Sequence, residues 1–366
     1  DDDIRVHVPG ADADLLRTWR FDLATFLALQ ERVRSGRLST ASSRVRGRLE
    51  APRAGDIEPL PARDSTAARD LRELGLNAIA RGSVGIVIVA GDAATATLPV
   101  VDGESLLELK IGDARRAANE AGGAVPVFVM TSFATHAFID RHLAARGVLR
   151  GGDVTLFGQS VSLRLTESGE IFGASRGAPL PAESYTTCGH GDFFRALVET
   201  GAYARLRALG VETLLLSSVS NLGASLDPLV VGAFLRARDE RGVSMLAETI
   251  ERASVAPIHA TDPSDPGDPG GAGAGVGVVV RVDGRLRAVD VSRVSDDVDP
   301  RTVENVAIGT FAFDVAKLAN PVALDVHLVP HEIGPRRAWQ ADHSLCEATA
   351  VLPFADEVIA LPLAGR

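Results

Sequence analysis

The chain has 366 residues, of which 46% are hydrophobic, so it can bury a sizeable core in one large domain or in a main domain with appendages. Its net charge of −10 argues against a general grip on the phosphate backbone of nucleic acids. The two cysteines do not make a disulfide framework, which fits a reducing cytoplasm. We expect no signal peptide and no membrane partner, and we expect no spanning helix because the sequence has no run of about 18 apolar residues.

Residues 1–80 are predicted to form a helical extension in front of the main domain. From Asp14 to Val33 the apolar residues recur at mostly helical spacing. Three prolines then predict a loop over Ala51–Arg63, and Ser65–Leu76 is typical of a short helix that leads into the next segment. The extension is thus predicted to consist of helices interrupted by a loop.

Short apolar runs alternate with helix-like segments from residue 84 onward. The predicted strands are Val84–Ala90, Val125–Met130, Val154–Phe157 and Leu214–Val219. The predicted helices are Leu106–Glu120, a segment through Ile139 and Leu143, Phe193–Gly201, Tyr203–Ala208 and Pro228–Arg241. Continuous apolar runs suit strands that are buried on both faces, and their alternation with helices indicates βαβ units. The sequence therefore predicts an α/β fold with a mostly parallel sheet.

The ends of these strands are the expected ligand site. Ligands of open α/β sheets bind in the crevice beyond the carboxyl ends of the strands. Gly91, Thr131, Gln159 and Ser220 each follow one of the four predicted strands. We expect the loops that contain them to face the same crevice.

The last part of the chain has a different composition. Residues 257–277 are rich in Pro, Gly, Asp and Ala, which predicts a flexible loop. Beyond it, Val278–Val282 and Arg285–Val291 flank a tight Asp-Gly turn and predict a hairpin, and Thr310–Val315 and Leu324–Val329 predict further strands. We therefore divide the chain into a helical extension (1–80), an α/β core (81–256), the flexible loop (257–277) and a C-terminal part with added strands (278–366).

Five short segments occur in a fixed order at the ends of the predicted strands or at the start of a helix. They are Val89-Ala90-Gly91, Met130-Thr131-Ser132-Phe133, Phe157-Gly158-Gln159, Gly189-His190-Gly191-Asp192 and Ser220-Asn221-Leu222-Gly223-Ala224. This series, from roughly residue 20 to residue 250, resembles the UTP–glucose-1-phosphate uridylyltransferase or UDP-sugar pyrophosphorylase family. The resemblance implies a Rossmann-like nucleotidyltransferase (GT-A-like) fold and a nucleotide-sugar-binding core over residues 81–256.

The reaction implied by the resemblance is attack of a sugar 1-phosphate on the α-phosphorus of UTP, which yields a UDP-sugar and pyrophosphate. Such chemistry depends mainly on positioning and on cations, with Mg²⁺ as the implied cofactor. UTP or a UDP-sugar and a sugar 1-phosphate are therefore the expected small-molecule partners.

The same resemblance assigns binding roles to seven residues. The nucleotide is expected at Ala90, Gly91, Gln159, Gly189 and His190, and the sugar at Asn221 and Gly223. The Gln159 amide can donate and accept hydrogen bonds at once, which suits the imide edge of uracil, and glycines let the backbone lie close to a base or phosphate. The alternative for each polar residue is a loop position bonded only to the fold.

Other parts that the resemblance implies are absent. Asp92 stands where the phosphate-binding loop would have a second glycine, and Ala96 stands where it would have an arginine. No basic residue occurs between Arg81 and Lys110. Ser220 replaces the expected Mg²⁺-binding aspartate, and a hydroxyl is a poorer ligand for Mg²⁺ than a carboxylate. The sequence names no catalytic residue, and Mg²⁺ binding is left in doubt.

Two main hypotheses follow. One is an enzyme that makes a UDP-sugar; the other is a non-catalytic binding or regulatory pseudoenzyme that keeps the uridine pocket, in which case a protein partner is conceivable. His327 and His331 are four residues apart, which on a helix would suit a metal. The alternating apolar residues around them favour a strand, where two such side chains lie far apart.

Overall fold

The computed structural model describes residues 2–251, 276–295, 298–351 and 358–362. Its α-helices are α1 (Asp2–His7), α2 (Ala13–Thr18), α3 (Leu23–Arg34), α4 (Thr66–Ala80), α5 (Ala93–Ala96), α6 (Leu106–Ala121), α7 (His136–Ala145), α8 (Phe193–Glu199), α9 (Ala202–Ala208) and α10 (Pro228–Arg241). Its β-strands are β1 (Leu49–Glu50), β2 (Val84–Val89), β3 (Pro99–Val101), β4 (Glu104–Ser105), β5 (Val127–Thr131), β6 (Val154–Gly158), β7 (Val161–Leu163), β8 (Tyr185–Thr187), β9 (Thr213–Ser218), β10 (Met245–Glu251), β11 (Val276–Val282), β12 (Arg285–Asp290), β13 (Asn305–Asp314), β14 (His327–Ile333), β15 (Arg336–Asp342) and β16 (Val358–Pro362).

A ten-stranded sheet forms the centre of the fold, with the order β1-β11-β13-β9-β2-β5-β6 and with β10, β12 and β16 off this path. The strands β9, β2, β5 and β6 are parallel, as the alternation of strands and helices predicted. From β13 outward the pairing is antiparallel except between β10 and β16. The α/β fold class is confirmed, and apart from the β10–β16 pair its parallel part consists of the four strands β9, β2, β5 and β6.

Both faces of the parallel strands are covered by helices. On β2, Val84 and Ile88 belong to the apolar cluster that includes residues of α4, α6, α7 and α10. Val87 and Val89, on the opposite face, belong to the cluster that includes residues of α8 and α9. This burial on both faces explains why β2 is a continuous apolar run. Among the described residues, no helix is long and apolar enough to cross a membrane.

Two of these helices pack unusually closely through a reciprocal pair of glycines. A Cβ atom on Gly75 of α4 would overlap the carbonyl oxygen of Pro228 in α10. A Cβ atom on Gly232 of α10 would overlap the carbonyl oxygen of Leu71 in α4. Because each glycine faces the backbone of the other helix, no larger side chain fits at either position without moving the helices apart.

The extension contains a break that the sequence pattern did not predict. The helical spacing from Asp14 to Val33 is divided between α2 and α3, because Arg20 has a positive φ of 52° and Asp22 caps the second helix by accepting from Thr25 N. The predicted loop over Ala51–Arg63 contains no helix and the predicted helix after it is α4.

The helices α2 and α3, which flank the break, pack on distant parts of the chain. Leu16 and Phe26 share an apolar cluster with Leu163 of β7, Tyr185 of β8 and Leu328 of β14. The β11–β12 hairpin is confirmed, and the predicted strand at Leu324–Val329 starts only at His327. The domain boundaries stay a prediction, and the flexible loop predicted for 257–277 lies outside the described residues except at its last two positions.

Candidate functional site

Two of the predicted nucleotide-binding residues meet at the carboxyl edge of the parallel strands. Ala90 N donates to Met130 O at 2.8 Å, and Gln159 N donates to Thr131 O at 2.9 Å, so the segments after β2 and β6 lie on either side of β5. A Cβ atom on Gly91 would stand 3.6 Å from Gln159 Nε2. The side chain of Gln159 thus crosses the end of β5 towards Gly91, as the strand-end rule predicted.

The Gln159 amide is buried with one of its polar atoms unpaired. The residue is 3% exposed, and within the described part of the chain its Oε1 has no hydrogen-bond partner. A buried acceptor without a donor is destabilising by about 1–3 kcal/mol. This oxygen can therefore accept a hydrogen bond from a ligand.

A short segment of the extension borders this amide. Arg20 donates a hydrogen bond to Gly158 O, and Val161 N donates to Trp19 O at 2.9 Å. The Trp19 ring lies so close to Gly158 that a Cβ atom there would overlap it. The residue before Gln159 must therefore be a glycine, and the indole fixes the backbone that carries the amide. No sequence pattern predicted this contact, because Trp19 resembles an ordinary apolar position of a helix.

Gly189 and His190 lie in a neighbouring segment that is covered by the chain after β15. Gly189 has a φ of 83°, and the Asp342 carboxyl group lies directly against it. Gly191 N donates to His343 O at 2.7 Å, and His343 N donates to Cys188 O at 3.0 Å. This segment is therefore held from one side by residues that follow β15.

Asp192 connects that segment to the Gln159 loop. Its Oδ2 accepts a hydrogen bond from Ser160 N at 2.6 Å, and its Oδ1 accepts one from Arg195 Nε at 3.1 Å. Because Ser160 is the next residue after Gln159, the two predicted base-binding segments are adjacent.

His190 belongs to a buried group of ionisable side chains. Burial lowers the pKa of His190, while Asp290 opposes the shift. Burial lowers the pKa of His327 to about 4, again against the effect of Asp290. Burial and the charge of Asp290 raise the pKa of Asp342 to about 7. Burial therefore shifts all three of these side chains towards their uncharged forms.

The described residues include no group of three or more His, Cys, Asp or Glu side chains that could hold a metal ion. His327 and His331 both lie on β14, in agreement with the strand prediction. Cys188 is a thiol whose pKa is raised, mainly by burial. A neutral buried thiol is a poor nucleophile.

Asn221, a predicted sugar-binding residue, uses its amide nitrogen within the fold. Its Nδ2 donates to Ile308 O at 3.1 Å and to Thr310 Oγ1 at 3.2 Å, both on β13. Its Oδ1 would stand 3.4 Å from a Cβ atom on Gly223, a position at which no other atom is within 4 Å. Gly223 therefore leaves space for a ligand on one side, and Asn221 can offer an acceptor rather than a donor there.

In the loop expected to bind phosphate, the backbone N–H groups donate to the loop's own acidic residue. Asp92 is the N-cap of α5 and accepts from Ala94 N at 3.0 Å and from Thr95 N at 3.3 Å. These backbone donors are the kind that phosphates use. Ser220, in place of the expected aspartate, shares a hydrogen bond of 2.9 Å with Ser218 Oγ. Both observations agree with the losses noted in the sequence.

The hydroxyl of Thr131 is used within the fold despite the position of this residue at a strand end. Its Oγ1 donates to Phe157 O at 3.1 Å and lies 2.8 Å from His136 Nδ1. Lys110, in contrast, was not predicted as a site residue, yet its Nζ donates to Asn221 O at 2.6 Å and to Ala224 O at 3.0 Å. A lysine inside a helix gave no signal in the sequence that it reaches this loop.

Comparisons with known proteins point to one family. A model of the UTP–glucose-1-phosphate uridylyltransferase family matches residues 80–258. A Schizosaccharomyces pombe relative described as "Probable UTP--glucose-1-phosphate uridylyltransferase" is 28% identical over 201 residues, which cover 55% of this chain and 36% of the relative. The chain thus matches little more than a third of that relative's length.

Solved structures share the fold over nearly the whole chain. A UDP-glucose pyrophosphorylase mutant from Leishmania major in complex with UDP-glucose is 17% identical, with a TM-score of 0.65 over 95% of this chain and 73% of that chain. A UDP-N-acetylglucosamine pyrophosphorylase from Trypanosoma brucei, in complex with an inhibitor, is 18% identical, with a TM-score of 0.62 over 95% of this chain and 69% of that chain. The resemblance predicted from the five sequence segments is confirmed.

Proposed function

On the premise that residues 80–258 match the UTP–glucose-1-phosphate uridylyltransferase family, we propose that this chain binds the uridine part of a UDP-sugar at the carboxyl edge of β2 and β6. Family and fold indicate a UDP-sugar pyrophosphorylase-like function in general terms. The observation that supports a retained uridine site is the unpaired, buried Oε1 of Gln159.

Uracil is chemically suited to this amide. The imide edge of uracil has one N–H donor between two carbonyl acceptors. The N–H would donate to Gln159 Oε1, and one carbonyl would accept from Gln159 Nε2. Gly91, which has no side chain beside that nitrogen, leaves room for the ring.

Binding of a UDP-sugar is favoured over turnover of UTP. Transfer of a uridylyl group concentrates negative charge on phosphoryl oxygens, and cations must stabilise it. Asp92 occupies the backbone donors after β2, and no basic residue lies between Arg81 and Lys110. Ser220 and its neighbours do not provide the carboxylate oxygens that Mg²⁺ prefers. The residues around the proposed site therefore do not fit Mg²⁺.

Loss of the Gln159 amide should weaken binding of UDP-glucose. We expect Gln159→Ala to raise the dissociation constant by about 5- to 150-fold, equivalent to about 1–3 kcal/mol, because the substitution removes both hydrogen bonds to uracil. Calorimetric titration with UDP-glucose, with and without Mg²⁺, would measure the change. Gln30→Ala is a matched control, since Gln30 is a buried glutamine on α3 that donates to Gly169 O.

Wild-type protein that gives no heat with UDP-glucose up to millimolar concentrations would contradict the uridine site. The fold would then have been kept for another purpose, and a protein partner would become the leading hypothesis. Equal losses in the Gln159 and Gln30 variants would also contradict it, because the effect would then come from general loosening of the fold.

Turnover is the second candidate function, and the family match is what favours it. It predicts release of pyrophosphate from UTP and glucose 1-phosphate in the presence of Mg²⁺, and loss of that release in Gln159→Ala. We expect no release, because the cationic groups that such a reaction needs are missing. A coupled pyrophosphate assay distinguishes the two functions once binding has been measured.

A further inference from the structure

Lys110 is one of only two lysines in the chain, and it is 7% exposed on α6. Its Nζ donates to the carbonyl oxygens of Asn221 and Ala224, at 2.6 Å and 3.0 Å. Burial of an ammonium group is unfavourable unless its donors are satisfied. Both of these acceptors belong to the connection between β9 and α10, so the lysine ties α6 to this loop.

A second charged side chain of α6 holds the same connection farther along. Asp113 Oδ2 accepts a hydrogen bond from Leu226 N at 3.0 Å. Residues three apart on a helix share a face, so Lys110 and Asp113 point to the same side of α6. Lys110 donates to two carbonyl oxygens of the loop and Asp113 accepts from one of its amide groups. Together they fix both the position and the direction of the loop backbone.

The opposite side of the loop is held by β13. Asn221 Nδ2 donates to Ile308 O and to Thr310 Oγ1. Asn221 is therefore fixed by α6 through its backbone and by β13 through its side chain. Between these contacts Leu222 is 50% exposed, and the atom nearest to a Cβ atom built on Gly223 is Asn221 Oδ1, at 3.4 Å.

We propose that Lys110 is a positioning residue for the sugar side of a bound UDP-sugar. This inference rests on the proposed function. The lysine fixes the backbone of Asn221 and Ala224, and thereby sets where Asn221 Oδ1 and the open side of Gly223 face the ligand.

The test compares two ligands that share the uridine and its α-phosphate, of which only UDP-glucose carries the β-phosphate and the sugar. UDP-glucose and UMP would be titrated into the wild-type chain, Lys110→Met and Lys317→Met, because methionine keeps the length of the lysine stem without its charge. We expect Lys110→Met to weaken UDP-glucose binding at least about tenfold and UMP binding less than about twofold. Lys317→Met, on the turn after β13, is the matched control and should change neither.

A ligand-free measurement separates this inference from the proposed function. Hydrogen exchange of the peptide that covers residues 219–226 should become faster in Lys110→Met and not in Lys317→Met, while exchange in β2 and β5 stays unchanged. Unchanged exchange in the loop would show that Lys110 does not hold it, which overturns the inference even if UDP-glucose binds.

The remaining outcomes are also distinct. Equal weakening of UDP-glucose and UMP in Lys110→Met would overturn the sugar-side role and leave the uridine site standing. Failure of the wild-type chain to bind either ligand would overturn the proposed function, and the sugar-side role with it, whatever the exchange experiment shows about the loop.

Discussion

Replacement of Gly232 by alanine should destabilise the chain by at least about 3 kcal/mol, at the upper end of what overpacking produces. The new Cβ atom would overlap the carbonyl oxygen of Leu71, which belongs to the backbone of α4 and cannot rotate away. The helices α4 and α10 must then separate, and the apolar residues between them lose contact. Urea unfolding followed by circular dichroism would give the change in midpoint and slope.

Gly112→Ala is the matched control for this prediction. Gly112 is an exposed glycine inside α6, and a Cβ atom built on it has no neighbour within 4 Å. Alanine there should stabilise the chain by up to about 1 kcal/mol, because glycine is the weaker helix former. A loss of less than about 1 kcal/mol in Gly232→Ala would mean that α4 and α10 lie farther apart than the structure places them.

Asp342→Asn should make the chain more stable at pH 8, by about 1–4 kcal/mol. Burial and the charge of Asp290 raise the pKa of Asp342 to about 7, whereas an aspartate in an unfolded chain titrates near 3.9. Between about pH 4 and pH 7 the folded chain keeps a proton that the unfolded chain has released. Stability therefore falls as the pH rises through this window and levels off above it. Asparagine cannot ionise, so the variant lacks this loss.

Unfolding by urea at pH 5 and at pH 8 would test the pH dependence. The difference between the two proteins should be smaller at pH 5, where only about 1 of the roughly 3 pH units of this window has been crossed, than at pH 8. His327 changes the stability in the opposite direction, because burial lowers its pKa to about 4. Its contribution to the stability is therefore lost as the pH falls from about 6.5. This contribution is present in both proteins and cancels in the difference. Parallel pH profiles for the two proteins would contradict the raised pKa.

The parallel part of the fold could be predicted because short, local stretches of the sequence determine it. Strands such as β2 and β5 are buried on both faces and are joined by helices, so the apolar runs and their spacing determine the arrangement. The place of β13 between β9 and β11 could not be predicted, because it depends on pairing across the segment 252–275. The break at Arg20 was also hidden, since apolar residues continue through it at helical spacing.

The candidate site was predictable to the same extent. Gly91 and Gln159 follow neighbouring parallel strands, so the strand-end rule brings them together. The contact of Gly189 with Asp342 joins residues that are far apart in the sequence, and no local pattern encodes it. The hydrogen bond from the Asn221 amide to Ile308 O on β13 could not be predicted for the same reason. The sequence therefore predicted which loops form the site but not which of their polar groups are already used.

The docking of the extension has a consequence for synthesis on the ribosome. Trp19 O accepts from Val161 N, and Gly10 O accepts from Leu180 N, so the extension binds a surface made about 140 residues or more later. At roughly 5–20 residues per second, α2 and α3 wait about 7–30 s before that surface emerges. Their apolar faces are exposed to chaperones in the meantime, and the edge that carries Gln159 is completed only when the first-made part of the chain returns to it.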